Sequence, residues 1–224
     1  MRIGILGTGS YVPEKVLTND DLANIVDTND EWITTRTGIK ERRIASENEA
    51  TSDLAFCAAK KAINDAGIDK NEIDLIIVAT MTPDHFTPST AALVQDKLGI
   101  KAAAFDISAA CTGFVYAFTT GYSFIKSGIY KKVLVIGAET MSRVMDWSDR
   151  GTCILFGDGS GAVVLGEVQT GGFCASHLVA DGSGACELIV PAGGSRKVVT
   201  VEALENKETY LQMNGREIFK FAVK

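Results

Sequence analysis

The stretch FDISAACTGFVYAF, Phe105 to Phe118, sets a short apolar strand pattern directly against an almost wholly apolar helical one, with Cys111 at the junction. A helix N-terminus presents unpaired N–H groups and about half a positive charge, which favours a thiolate over a thiol. Ser108, Ala109, Ala110 and Gly113 are small enough to permit a tight turn and to let a substrate approach, as glycines do in the serine nucleophile elbow. The junction therefore reads as a strand, a nucleophile and a helix in succession. The helix carries apolar groups around most of its circumference, which predicts burial in the middle of the fold.

A free cysteine more often packs as a small hydrophobe. That reading is kept for Cys57, inside a helical pattern, and for Cys153, Cys174 and Cys186, on or near strand patterns. The five cysteines are odd in number, widely spaced and without a CxxC pair, so they read as reduced thiols.

Outward from Cys111, near-continuous apolar runs recur at Ile3 to Gly7, Leu75 to Thr80, Ala102 to Ile107, Val133 to Gly137 and Ala162 to Gly166. Runs of this kind suit strands buried on both faces of a mainly parallel sheet. Helices are predicted from Thr18 (TNDDLANIV), from Thr51 or Ser52 to Gly67, from Pro88 and Ser89 to Gly99, and from about Thr112 to Gly128. The alternation predicts an α/β layered fold with a five-stranded, mainly parallel sheet and right-handed crossovers. Beyond Gly171 glycines cluster and the runs become hairpin-like, until NGREIFKFAVK reads as a helix. The expected division is residues 1–170 and 171–224.

With 224 residues and 46% hydrophobic content the chain has ample material for a core. Its 28 acidic and 22 basic side chains give a net charge of −6, so no overall positive field exists to hold nucleic acid or an anionic membrane. MRIGILGTGSY is too short and too weakly basic for a signal peptide, and no run approaches the ~18 apolar residues of a membrane span. With reduced thiols, this predicts a cytoplasmic protein.

Several separated motifs carry a resemblance: DISAACTGF, GTGSYVP (Gly7 to Pro13), DTNDEWITTRTGIKERR (Asp27 to Arg43), DRGTCILFGDGSGAVVL (Asp149 to Leu165) and MNGREIFK (Met213 to Lys220). In their order and over essentially the whole chain they resemble the β-ketoacyl-acyl-carrier-protein synthase III branch of the thiolase-like condensing enzymes. The resemblance implies a thiolase-like fold with a first half complete and a second only begun. It implies an acyltransferase of type II fatty acid synthesis in which Cys111 takes an acyl group from acyl-CoA, and malonyl-acyl-carrier protein then condenses with it, losing CO2. The Cys111 N–H would be an oxyanion-hole donor. No permanently bound cofactor is implied, and a homodimer is.

Trp32 and Arg36 lie four apart and would share a helical face, a flat ring beside a guanidinium, which suits adenine stacking and phosphate pairing. The resemblance places them with Thr28, Arg150 and Gly151 at the coenzyme A mouth. It places Phe156 at the buried end of the site beside the nucleophile, and Ile154, Met213 and Gly215 along the pantetheine tunnel. Lys220 and the basic run Lys40, Arg42 and Arg43 are candidates for meeting an acidic carrier protein. Thr87, where relatives often carry a bulky residue reaching into the partner's acyl pocket, leaves room and implies tolerance of primers longer or more branched than acetyl.

The family's second-half histidine and asparagine have no match; the only histidines, His85 and His177, sit in other contexts. The chain is accordingly expected to be a piece of a longer enzyme, unable by itself to decarboxylate malonyl thioester. Two other readings stay open: another thiolase-like enzyme of the thiolase or hydroxymethylglutaryl-CoA synthase type, or an inactive interaction module. A dinucleotide site at GILGTGSY is disfavoured because Val12 and Pro13 stand where a Rossmann helix would open.

Overall fold

The computed structural model describes residues 1–223; Lys224 lies outside the described residues. Along the chain run β1 (Ile3–Tyr11), β2 (Lys15–Thr18), α1 (Asn19–Ala23), α2 (Asp30–Thr37), β3 (Glu41–Ile44), α3 (Thr51–Asp65), β4 (Leu75–Ala79), α4 (Thr90–Leu98), β5 (Ala103–Ile107) and α5 (Gly113–Lys126). They are followed by β6 (Val133–Thr140), α6 (Arg150–Cys153), β7 (Asp158–Glu167), β8 (Leu188–Ile189), α7 (Val201–Glu205), β9 (Gln212–Met213) and α8 (Gly215–Ala222). These form two compact units: Met1–Lys15 with Ala45–Thr140 and Asp158–Leu178, and Val16–Ile44 with Met141–Gly157 and the chain from Val179 onward.

The first unit is built on a five-stranded sheet ordered β1-β7-β6-β4-β5. β4 pairs in parallel with β5 and β6, while β7 runs antiparallel to both β6 and β1. Four strands thus point one way and β7 alone the other, which is the mainly parallel sheet expected, with β5 at its edge. Alternation across β4 and β6 sends Ile76, Val78, Leu134, Ile136 and Ala138 to the side of α3 and α4, and Leu75, Ile77, Ala79, Val133 and Val135 to the side of α5. Helices on both faces are why these runs lack polar positions.

The glycines of GILGTGSY serve packing. A Cβ on Gly7 would stand 2.2 Å from the Ala66 nitrogen, because β1 lies directly against α3, whose Ala55, Ala58, Ala59 and Ala62 are buried. The α3 start differs slightly from expectation. Ala50 is the N-cap, its N–H held by the Asp53 carboxylate at 2.9 Å, while the Thr51 hydroxyl donates to the Thr82 carbonyl at 2.6 Å. Ser89 does cap α4, and Gly99 closes it with φ +63°.

The expected all-round burial of α5 is corrected. Only Gly113, Ala117, Gly121 and Ile125, one stripe at four-residue spacing, are fully buried against the sheet. Phe118 and Tyr122 are half-covered, stacking on Phe173 with centroids 5.9 and 4.2 Å apart, and Val115 is exposed. The sheet covers one side of the helix, Phe173 covers Phe118 and Tyr122, and Val115 stays exposed.

In the second unit the Thr18 hydroxyl and the Asp21 carboxylate form a reciprocal capping box that starts α1 where expected. The Asn29 side chain accepts from the Trp32 N–H at 2.7 Å and starts α2, which Gly38 ends at φ +72°. β2 and β3, not anticipated from sequence, pair with each other. Leu22, Ile33, Cys153 and Ile154 make a small buried cluster. The anticipated late hairpins reduce to one antiparallel contact between β8 and β9; α8 forms where NGREIFKFAVK predicted it. All five cysteines are free; Cys153 is buried and Cys57 half-buried, whereas Cys174 and Cys186 are exposed, correcting their reading as packed hydrophobes. Their segments are irregular and contribute little core. Among the described residues no helix is long and apolar enough to cross a membrane.

Candidate active site

The turn after β5 decides where Cys111 goes. The Thr80 N–H donates to the Ile107 carbonyl at 3.1 Å, tying the end of β5 to the end of β4. Ala110 then takes φ +44°, a left-handed conformation that strains a residue with a Cβ by about 1 kcal/mol or more. A single tight turn over Ala110–Thr112 follows, closed by the Thr112 N–H and hydroxyl, which donate to the Ala109 carbonyl at 3.2 and 3.0 Å. Cys111 is left exposed at the start of α5. A Cβ on Gly113 would meet the Ala79 Cβ at 3.2 Å, so the small residues beside the cysteine let α5 close down on β4. The structure thus places the cysteine between strand and helix, as expected from the sequence.

Carboxylates brace the neighbouring loop, which carries Thr87. Asp84 accepts from the Ser52 N–H and hydroxyl at 2.8 and 2.7 Å, and Asp106, on β5, accepts from the Thr90 and Ala91 N–H groups at 2.7 Å each. Glu139, near the end of β6, accepts from the Met81 N–H at 2.8 Å, the Thr82 N–H at 3.1 Å and hydroxyl at 2.5 Å, and the Thr80 hydroxyl at 3.2 Å. Burial pushes its carboxyl above the usual range, against the pull of these hydrogen bonds. Sequence reasoning missed Glu139, though an acid near the end of the apolar run VLVIGAET was the available signal. Thr87 and His85 are exposed in this loop, and His177 lies exposed in an irregular segment.

In the second unit two guanidinium groups lie over the Trp32 ring: Arg36 at 4.4 Å and Arg150 at 5.1 Å from its centroid. Arg150 is held by the Asp27 carbonyl, to which its Nη1 donates at 2.9 Å. Beside it the Thr28 hydroxyl oxygen is buried without a hydrogen-bond partner among the described residues. The Gly151 N–H donates to Asp149 at 2.9 Å, starting the short α6, and β9 with Met213 lies beside that helix. Ile154 belongs to the buried cluster, Phe156 is half-buried, and Gly215 opens α8 near the Met213 methyl. A flat ring with two guanidinium groups over it is equipped for a ligand with an aromatic base and phosphates.

The expected basic patch is altered. Arg42 is only 4% exposed; its Nε donates to the Ile154 carbonyl at 3.0 Å and its Nη1 to the Asn19 side-chain oxygen, so it cannot greet a carrier protein. Lys220 is exposed but pairs with Glu217 at 2.6 Å.

Comparison with known proteins identifies the family. The sequence model of the family described as 3-oxoacyl-[acyl-carrier-protein (ACP)] synthase III matches residues 105–182. A β-ketoacyl-[acyl-carrier-protein] synthase III of Caldanaerobacter subterraneus subsp. tengcongensis is 57% identical over 223 residues, 99% of this chain and 67% of the relative. One from Desulfitobacterium hafniense is 54% identical over 100% of this chain and 68% of its own length. The crystal structure of the 3-oxoacyl-[acyl-carrier-protein] synthase III of Aquifex aeolicus superposes with a TM-score of 0.86 at 51% identity, covering 98% of this chain and 67% of that one. The chain spans about two thirds of the length of the relatives it matches, and it belongs to the β-ketoacyl-[acyl-carrier-protein] synthase III family.

Proposed function

We propose that Cys111 is the nucleophile of a condensing acyltransferase that initiates type II fatty acid synthesis. The thiolate attacks the carbonyl of acyl-CoA, the carbon–sulfur bond to coenzyme A breaks, and the released thiolate takes up a proton. Malonyl-acyl-carrier protein then loses CO2, and the resulting enolate attacks the acyl-cysteine to give β-ketoacyl-carrier protein and free Cys111. Covalent catalysis of this kind divides one difficult transfer into two easier ones. The Cys111 N–H is the oxyanion donor in this scheme.

The observation that carries the reading is the exposed thiol at the start of α5, directly after Ala110 at φ +44°. The Trp32, Arg36 and Arg150 stack supports a role in holding the nucleotide end of coenzyme A, with Thr28 and Gly151 beside it. Ile154, Met213 and Gly215 are assigned to the pantetheine path, Phe156 to the acyl end, Thr87 to primer length and Lys220 to the carrier protein. The edge position of β5 supports pairing with a second copy as a homodimer, and the division into halves at residue 170 and a cytoplasmic setting belong to the same proposal. Intact-mass analysis after incubation with acetyl-CoA tests the central claim. One acetyl group on Cys111, absent from Cys111→Ser, is expected; an unmodified Cys111 sinks the reading.

A further inference from the structure

Arg42 is a buried cation with no carboxylate among its hydrogen-bond partners in the described residues, an expensive arrangement that calls for a reason. Its guanidinium reaches in two directions. Nε and Nη2 both donate to the carbonyl of Ile154, the residue that ends α6, and Nη1 donates to Asn19 Oδ1. The Asn19 amide passes the link onward: its Nδ2 donates to Asp30 Oδ1 at 2.7 Å and to the Ile39 carbonyl at 2.8 Å. Asp30 is the first residue of α2 and also accepts from the Thr34 hydroxyl at 3.1 Å. One connected path therefore runs from the end of the helix that carries Arg150 to the start of the helix that carries Trp32 and Arg36.

We infer that Arg42 is a positioning residue for the Trp32, Arg36 and Arg150 stack, fixing α2 and α6 in the register that brings both guanidinium groups onto the indole. Arginine suits the task because its planar fork donates in several directions at once from one rigid group, whereas lysine offers a single flexible point charge. Asn19 suits the middle of the path because its amide accepts on one side and donates on the other. The inference rests on the proposed coenzyme A role of that stack.

The test measures coenzyme A binding by fluorescence in a Trp147→Phe background, which leaves Trp32 as the only tryptophan. Iodoacetamide labelling of Cys111 is followed in parallel. Arg42→Met is expected to weaken binding about tenfold and to leave the labelling rate unchanged, with Arg42→Lys in between; general loosening of the fold would instead alter both readouts together. Should Arg42→Met fail to fold, Arg42→Lys decides: binding weakened severalfold with labelling intact supports the role, and unaltered binding overturns it. A parent that binds coenzyme A equally well with and without these substitutions overturns the inference alone. A parent that does not bind it overturns the site reading, and the inference falls with it.

Discussion

A Cβ placed on Gly9 would stand 2.3 Å from the Ala58 carbonyl oxygen, closer than any real contact permits. β1 and α3 therefore touch backbone to backbone, and the atoms in the way belong to a helix that cannot give. Gly9→Ala is expected to cost about 3 kcal/mol or more, through overpacking without a route to relax. Gly161→Ala on β7 is the control, because its Cβ would enter open space and stability should stay within about 0.5 kcal/mol of the parent. Urea unfolding of both checks this; similar midpoints for the two variants would refute the packing argument.

The buried, unpartnered Thr28 hydroxyl separates ligand binding from stability. Thr28→Val removes a polar group without a partner among the described residues, so the folded chain should be unchanged or up to about 1 kcal/mol more stable. Coenzyme A should bind it severalfold more weakly. Trp32→Ala, which removes the ring shared by two guanidinium groups, should weaken binding about tenfold. Calorimetric titration with coenzyme A measures both, and undiminished affinity in both variants would remove the nucleotide role.

Glu139 gives stability a defined pH dependence. Burial raises its pKa, so the folded chain keeps the proton at pH values where the unfolded chain has already lost it. Its contribution is fully present below the ordinary glutamate value of about 4.3 and is lost as pH rises through the folded pKa. Glu139→Gln cannot ionise and should flatten that fall. It also turns an amide N–H toward the backbone N–H of Met81 or Thr82, which should cost about 1–3 kcal/mol at low pH. Urea midpoints for parent and variant between pH 4.5 and 8 report the difference; parallel curves would contradict it.

Thr87 stands exposed on a loop braced by Asp84 and Asp106, so a larger side chain there has room without disturbing the core. Thr87→Phe should leave the unfolding midpoint unchanged and lower labelling by long or branched acyl-CoA severalfold relative to acetyl-CoA. Comparable labelling of parent and variant by long acyl-CoA would argue against a role in primer length.

Much of the first unit is legible in the sequence. Continuous apolar runs specify strands because a doubly covered sheet tolerates no polar position, and capping residues such as Ser89 and Gly99 mark helix ends through local hydrogen bonding and φ. The turn that carries Cys111 is legible for the same reason, since it is a local event between a strand and the helix that follows it. The limits show equally in particular residues. Burial of α5 was overestimated because apolar composition states what a surface prefers, not what covers it. Arg42 was misread as a surface charge, and Glu139 was missed, because each owes its role to partners remote in sequence: Arg42 to Ile154 and Asn19, Glu139 to the Thr80 to Thr82 turn.

Local chemistry thus wrote the strands, the helix ends, the family motifs and the turn that carries Cys111 into the chain itself, because those depend on neighbours a few residues away. Folding alone settled which charges are buried, which glycines are packing necessities and which helix face stays open. Those outcomes depend on segments that meet across a hundred residues or more, as Arg42 and Ile154 do, and no short window of sequence encodes such an encounter.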